Sequence, residues 1–167
     1  FSSGCKWITS EPMMVEDNNK WKDLNANGIT DLGMAFEELT SMLSRKKFLK
    51  SPSLSYAPVI FLMTDGYPTD NYKKGLEKLK NNNWYKYGMK IALGIGDYFD
   101  ESVLEEFTEN KELVVKAANS SQLAKLIKTI AVTSSQIASK SMTIVSDEEN
   151  ELDYEDVEGN KQKEMVK

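Results

Sequence analysis

The sequence predicts an α/β protein with a Rossmann-like, mostly parallel sheet that is flanked by helices on both faces. Two observations carry this prediction. First, the apolar runs Val59–Met63 and Met89–Ile95 alternate along the chain with segments whose apolar residues recur at helical spacing. Second, the earlier run ends abruptly in the turn residues Thr64-Asp65-Gly66, as a buried strand does before a helix. Successive strand–helix–strand units of this kind form parallel sheets with right-handed crossovers.

Four strands are predicted, and they differ in character. Alternation in residues 5–10 predicts a short strand near a sheet edge, with Trp7 on one face. The unbroken apolar run within residues 58–64 predicts a strand that is buried on both faces. Residues 89–95 form a second buried strand, and residues 113–117 form a third, shorter one.

One helix is predicted after each of the four strands. These helices cover residues 31–49, 70–82 and 100–110, and a last helix begins near Asn119. The first helix carries an apolar stripe at helical spacing, which consists of Leu32, Phe36, Leu39 and Leu43.

The ends of the later helices are also marked in the sequence. We expect Thr69 or Asp70 to cap the second helix, which directs Leu76 and Leu79 inward. In the last helix, Asn119 with Gln122 three residues later is similar to a capping box. Its apolar residues are Leu123, Ile127 and Ile130.

Composition divides the chain into a globular domain and an acidic tail. We expect residues 1–139 to form one domain, because a hydrophobic content of 40% is enough for one core in a chain of 167 residues. Residues 140–167 are expected to form a disordered tail, because acids dominate them and they have little apolar surface to bury. Eight of these acids crowd one stretch without Lys or Arg: Asp147, Glu148, Glu149, Glu151, Asp153, Glu155, Asp156 and Glu158.

The composition also disfavours several classes of partner. No stretch approaches the ~18 consecutive apolar residues of a membrane helix, and the Lys and Arg residues do not cluster with aromatic residues as a nucleic-acid surface would require. Cys5 is the single cysteine, so no intrachain disulfide can form, and we expect a cytoplasmic location. The chain has no histidine, which removes the commonest general base.

Two oxygen-bearing side chains are candidates for a functional site. Asp65 follows a strand directly, where open α/β sheets place their ligands. Thr30 begins a helix after the loop Asn27-Gly28-Ile29. Carboxylate and hydroxyl oxygens are hard ligands that suit Mg²⁺, Mn²⁺ or Ca²⁺. The residues alone leave a second interpretation open, in which Thr30 is a helix N-cap and Asp65 an ordinary turn acid.

These two segments resemble motifs of the von Willebrand factor A-type (vWA) domain. Gly28-Ile29-Thr30-Asp31-Leu32-Gly33 is similar to the threonine motif of that family, and Phe61-Leu62-Met63-Thr64-Asp65-Gly66 is similar to its Thr-Asp-Gly motif. The strand that ends in Gly94-Ile95-Gly96-Asp97, with the helix after it, follows in the order of the vWA fold. The residues from Thr64 to Asp70 are most similar to bacterial TerY-like members, which are associated with tellurium resistance.

The family's first metal motif, Asp-x-Ser-x-Ser, does not occur in the sequence. The chain begins with Phe1-Ser2-Ser3-Gly4, which resembles the end of the family's second strand. We therefore expect a partial vWA domain that is incomplete at the N-terminus. The rival explanation is a natural member that has lost its metal site. In the intact family fold the first strand lies beside residues 59–64, so its absence predicts an unpaired edge on that strand.

The resemblance implies a non-enzymatic module that binds a protein through a divalent cation. Thr30 and Asp65 would be ligands of Mg²⁺, Mn²⁺ or Ca²⁺ in the intact domain, with weak or no binding in this chain. An acidic side chain of a protein partner would complete the coordination, and no nucleic-acid or membrane partner is expected. Two alternatives stay open: a phosphoryl-transfer enzyme that uses Asp65, and a metal-free scaffold. Near the same rim we expect helix capping by Asp31 and a turn role for Asp97. Tyr67 is expected beside the site, either as a contact for the partner or as an exposed loop aromatic.

Overall fold

A three-stranded parallel sheet with helices connecting its strands forms the part of the chain that the structure describes. This computed structural model describes residues 1–9, 11, 27–49, 57–119 and 121–133. The elements in chain order are α1 (Leu32–Met42), β1 (Val59–Thr64), α2 (Tyr72–Lys80), α3 (Asn83–Tyr87), β2 (Met89–Ile95), α4 (Glu101–Thr108), a 3₁₀ turn (Lys111–Leu113) and β3 (Val114–Ala117), followed by α5 over residues 121–133.

The sheet has the strand order β1-β2-β3, and both pairs of strands are parallel. Val59 lies opposite Met89, and Ala92 lies opposite Val114. Because all three strands run in one direction, the ends of β1, β2 and β3 meet at one carboxyl edge of the sheet. The predicted α/β fold class is confirmed, and so are the predicted strands in residues 58–64, 89–95 and 113–117.

The core lies between the sheet and helices α1, α2 and α4. Phe36 of α1 stacks on Phe107 of α4, with ring centroids 5.6 Å apart and an angle of 4° between the ring planes. The Tyr85 hydroxyl donates a hydrogen bond to the carbonyl oxygen of Phe107, which satisfies both buried groups. The inward positions predicted for α2 are confirmed, since Leu76 and Leu79 are buried.

The prediction that β1 is buried on both faces is wrong. Ile60 and Leu62 are buried in the core cluster, whereas Phe61 is 38% exposed and Met63 is 44% exposed. The reason is the position of β1 at the end of the sheet. β1 is the end strand among the described elements, and only its face toward α1 and α2 is covered. The central strand β2 is buried throughout its interior, as the sequence predicted.

The prediction of a strand in residues 5–10 is also wrong for residues 5–9, while residue 10 lies outside the described residues. The N-terminal segment makes one isolated antiparallel bridge, between Ser2 and Gly4. Gly4 has a positive φ of 85°, which turns the chain sharply and is a conformation that glycine adopts readily. Trp7 then packs edge-on against Phe48, with centroids 4.7 Å apart, instead of lying on a sheet.

The predicted helices exist, but their ends differ from the predicted ones. α1 ends at Met42 rather than residue 49, because Leu43 leaves the helical conformation and the amide of Phe48 folds back to the carbonyl of Met42 at 3.3 Å. The Asn81–Asn83 run ends α2 and also begins the next helix. Asn82 also caps the short helix α3, which the sequence analysis did not anticipate, by accepting a hydrogen bond from the amide of Tyr85.

The predicted start of the last helix is confirmed. The Asn119 side chain accepts a hydrogen bond from the amide of Gln122 at 2.9 Å, and the Gln122 side chain accepts one from the amide of Ala118 at 3.0 Å. The predicted domain boundary at residue 139 and the predicted tail, 140–167, lie outside the described residues. Within the described ranges, no helix has the length and apolar character that crossing a membrane requires.

Candidate functional site: a cleft at the carboxyl edge of the sheet

A cleft of about 940 Å³ opens at the carboxyl end of β1. One wall is the N-terminal segment, and the other consists of residues 27–30, which we call the threonine loop, together with the end of β1. Thr30 and Asp65, the two site residues that the sequence predicted, both line this cleft. The structure therefore places the two side chains at one site, although they are 35 positions apart in the chain.

The Thr30 hydroxyl does not cap helix α1. Its oxygen makes no hydrogen bond with any described residue, and it lies next to the backbone of Gly66. A Cβ atom on Gly66 would be 2.7 Å from Thr30 Oγ1, which is closer than such atoms approach in proteins. Gly66 is thus the residue that lets the loop after β1 reach the threonine hydroxyl, and Thr30 Oγ1 keeps its acceptor capacity for a ligand.

The Asp65 carboxylate is exposed at the mouth of the cleft and makes no hydrogen bond with the described residues. Its two neighbours, Thr64 and Gly66, are hydrogen-bonded to each other in a local turn. The Thr64 hydroxyl accepts a hydrogen bond from the amide of Gly66 at 3.3 Å and lies 3.2 Å from the Gly66 carbonyl oxygen. The turn presents the carboxylate to the cleft while leaving both of its oxygens available.

The expected capping role of Asp31 is wrong. Asp31 occupies the N-cap position of α1 but makes no side-chain hydrogen bond to that helix. Its carboxylate instead accepts hydrogen bonds from the amide of Gly4 at 2.6 Å and from the hydroxyl of Thr69 at 3.3 Å. Asp31 therefore joins the threonine loop to the N-terminal segment and to the loop that follows Asp65.

The cap of α1 comes from Asp70, for which the sequence predicted a capping role on α2. Asp70 accepts hydrogen bonds from the amides of Gly33 at 2.8 Å and Met34 at 2.9 Å, two of the unpaired donors at the start of α1. The cap of α2 is Asn71, which accepts from the amide of Lys74. No local sequence signal could reveal this exchange, since Asp70 and Gly33 are 37 positions apart.

The remaining acids near this edge serve other purposes. Asp97 is exposed and is not among the described residues that line the cleft. Asp100 caps α4 by accepting from the amide of Ser102 at 3.0 Å. Tyr67 is 56% exposed in the loop after Asp65, as expected.

The N-terminal segment contributes groups that the sequence analysis did not assign to the site. Ser2, Ser3 and Cys5 all line the cleft. The Ser3 hydroxyl accepts a hydrogen bond from the amide of Ile29 at 3.3 Å, so one of these groups is already engaged by the threonine loop. Burial raises the pKa of the Cys5 thiol above its ordinary value, which keeps it protonated and poorly reactive.

The donor set fits a hard divalent cation in part. Thr30 Oγ1 and the Asp65 carboxylate line the cleft as oxygen donors that make no hydrogen bond with the described residues, which suits Mg²⁺, Mn²⁺ or Ca²⁺. Among the described residues, no three His, Cys, Asp or Glu side chains converge as a metal cluster. The two residues can therefore provide part of a coordination shell and leave the remaining positions to other oxygen ligands.

The parallel sheet, with the threonine loop and the loop after β1 at its carboxyl edge, defines a Rossmann-like vWA fold. Solved structures of the same fold include two of proximal thread matrix protein 1 from the mussel byssus. Its crystal form 2 is 25% identical, with a TM-score of 0.61 over 78% of this chain and 34% of that chain. A second structure, described as having a zinc occupied MIDAS motif, is 23% identical, with a TM-score of 0.60 over 78% of this chain and 33% of that one.

The chain thus spans about a third of the length of these two mussel protein chains. No protein-family model matches the sequence. No curated protein matches it either.

Proposed function

We propose that this chain is part of a non-enzymatic vWA-type module that binds a protein partner through a divalent cation at Thr30 and Asp65. The observation that carries the proposal is that two oxygen donors, both without a hydrogen bond to the described part of the chain, line one cleft at the carboxyl edge of the sheet. The mussel protein with a zinc occupied MIDAS motif supports a metal role for a cleft of this fold. The absence of histidine from the whole chain supports a binding role over acid–base catalysis.

The ion that fits best is Mg²⁺, with Mn²⁺ and Ca²⁺ as alternatives. Both available donors are oxygens, whereas zinc favours the nitrogen and sulfur ligands of His and Cys. Two protein oxygens out of the ~6 that these ions take leave too few bonds to offset dehydration of the ion, so the affinity of these two residues alone is low. We propose that a segment entering the cleft, of the Asp-x-Ser-x-Ser type, adds further oxygen ligands.

The partner follows from the charge at the site. Asp65 is the one carboxylate among the described residues that line the cleft, so a bound divalent cation would retain net positive charge. A Glu or Asp side chain of a protein partner would neutralise this charge and occupy an open coordination position. Tyr67, exposed beside Asp65, lies where it could contact the same partner.

A titration of the full-length protein with Mn²⁺, followed by electron paramagnetic resonance, tests the proposal. Asp65→Ala and Thr30→Val should each weaken binding, because each removes one donor oxygen. Asp97→Ala is the matched control, since Asp97 is an exposed acid at the end of β2 that does not line the cleft. Equal Mn²⁺ affinity in wild type and Asp65→Ala would overturn the site assignment.

We also propose, from the resemblance of residues 64–70, a bacterial stress-related role associated with tellurium resistance and, from the single cysteine, a cytoplasmic location. The amino-acid sequence is the sole support for this role and this location. Identification of partners that co-purify from the native host in Mg²⁺, and that dissociate in chelator, would test it. Partners belonging to an extracellular matrix would contradict it.

A further inference from the structure

The threonine loop and the loop after Asp65 are tied together by backbone and side chains of Thr69 and Asp70. The amide of Thr69 donates to the carbonyl of Thr30 at 2.9 Å, and the hydroxyl of Thr69 donates to Asp31 at 3.3 Å. One residue further on, the Asp70 carboxylate spans the first turn of α1 and accepts from two amides at once. We call the contacts made by Asp31, Thr69 and Asp70 the loop clamp.

Asp31 extends the loop clamp to the N-terminal segment, which forms the opposite wall of the cleft. Its other carboxylate oxygen accepts from the amide of Gly4 at 2.6 Å, and its own amide donates to the carbonyl of Ser2 at 3.1 Å. Asp31, the residue next to Thr30, is thereby bonded both to the N-terminal segment and to the loop that follows Asp65. Neither Asp31 nor Asp70 is among the described residues that line the cleft.

The geometry at Gly66 shows what the loop clamp controls. Thr30 Oγ1 lies so close to Gly66 that there is no room for a Cβ atom on that residue. The distance between the Thr30 hydroxyl and the Asp65 carboxylate is therefore determined by how closely the two loops are drawn together. Hydrogen bonds to carboxylates are stronger than neutral ones, so Asp31 and Asp70 supply the strongest contacts between these segments.

We propose that Asp31 and Asp70 are positioning residues that set the cation affinity of Thr30 and Asp65 without touching the ion. This inference rests on the proposed function. A coordination shell tolerates little displacement of its donors, and the residues that orient metal ligands typically contribute 10–100-fold in affinity, as an order of magnitude. The loop clamp acts through the backbone of two loops rather than through a single ligand, so its loss affects both donors together.

The test is the Mn²⁺ affinity of the full-length protein and of three variants. Asp70→Asn keeps one acceptor oxygen and loses the second bond to α1, and Asp31→Asn loses the charge that holds Gly4 and Thr69. Thr69→Val removes a single hydroxyl from an exposed side chain and retains the backbone bond to Thr30, so it should leave the fold intact. We expect a loss of about 10–100-fold for each of the two Asp variants and up to about tenfold for Thr69→Val.

The matched control is Asp100→Asn. Asp100 is also a helix cap at the same edge of the sheet, and it accepts from the amide and hydroxyl of Ser102 at 3.0 and 2.6 Å. Its loss lowers helix stability in the same way but leaves the two loops joined. The urea midpoint is measured for every variant, so that affinity is compared at known stability.

The outcomes separate this inference from the proposed function. If wild type binds Mn²⁺, Asp65→Ala does not, and Asp70→Asn and Asp31→Asn both match wild type, then the positioning role is overturned and the metal site stands. If Asp100→Asn weakens binding as much as Asp70→Asn, then affinity follows stability alone and the positioning role is again overturned. If wild type and Asp65→Ala are indistinguishable, the metal site itself is wrong.

Discussion

Gly75 of α2 lies against the carbonyl oxygen of Gly33 in α1, so closely that a Cβ atom on Gly75 would overlap that oxygen. The two helices cross at a point where neither carries a side chain. Gly33 also has no room for a Cβ atom, because Asn71 O would be 2.7 Å away and Asp70 Oδ2 2.9 Å away. This close crossing brings the start of α2 to the start of α1 and places Asp70 where it caps α1.

Gly75→Ala should therefore destabilise the protein. Alanine is the better helix former by about 1 kcal/mol, but the added methyl group must displace backbone, and overpacking typically costs 1–3 kcal/mol, as a rough range. Because the clash is with backbone, we expect a cost of about 2–3 kcal/mol from the upper part of that range, and so a net loss of about 1–2 kcal/mol in the free energy of unfolding from urea denaturation. Lys74→Ala, at an exposed position of the same helix, should change it by less than about 0.5 kcal/mol. A Gly75→Ala protein as stable as wild type would contradict the close crossing.

Alkaline pH should destabilise the protein through Tyr85. Burial, and next the negative charge of Glu109, raise the pKa of Tyr85 well above its ordinary value of 10.0. Because the folded state holds the phenol proton more tightly, this contribution is fully present below pH 10 and is lost as the pH rises further. Urea unfolding at a series of pH values should show the free energy of unfolding falling above pH 10.

The variant Tyr85→Phe separates this effect from other alkaline titrations. At pH 8 it should be less stable by roughly 1–3 kcal/mol, because the Phe107 carbonyl loses its buried hydrogen bond. Above pH 10 its stability should fall less steeply than that of wild type, since the buried phenol is absent. Tyr98→Phe changes a ring that is 78% exposed and should follow wild type throughout. Parallel curves for Tyr85→Phe and wild type would contradict the assignment.

The outer edge of β1 should promote self-association of the 167-residue chain. β1 pairs with β2 on one side and with no other described strand, and Phe61 and Met63 expose apolar surface on the same strand. Edge strands of this kind aggregate unless a charge interrupts them. We expect the wild-type chain to be poorly soluble, and Phe61→Lys to reduce association in sedimentation velocity.

Tyr98→Lys is the control for the added charge, because Tyr98 is exposed in the loop after β2 and lies off the edge. It should associate like wild type. A wild-type chain that is monomeric and freely soluble at high concentration would show that the edge is not accessible.

Partners bound to the acidic residues 147–158 and partners bound in the cleft should be released by different treatments. A partner held by the cation at Thr30 and Asp65 should dissociate in chelator. One held by residues 147–158 should dissociate in salt, because exposed charges are screened over ~8 Å at physiological ionic strength. Pull-downs with and without chelator, and with and without residues 140–167, distinguish the two. A partner retained in chelator but lost on tail deletion would move the function to the tail.

Local sequence patterns predicted the elements well where a pattern has one structural solution. The unbroken run in β2 predicted a buried strand, and β2 is the central strand, covered on both faces. The same pattern in β1 was misleading, because a run of apolar residues does not indicate whether the second face will be covered. The N-terminal alternation failed for a related reason: residues 5–9 have no strand partner among the described residues, and alternation alone cannot supply one.

By itself, the sequence determined the order and type of the three strands and of helices α1, α2, α4 and α5, and it indicated two candidate oxygen donors, Thr30 and Asp65. The spacing of apolar residues and the residue types that form turns are local properties, so a few neighbouring residues are enough to recognise them. The tertiary structure alone decided that both donors line one cleft, that Asp70 rather than Asp31 caps α1, and that Asp31 joins three segments. These are contacts between residues 27 to 38 positions apart, and those of Asp70 depend on how closely α1 and α2 pack at Gly33 and Gly75.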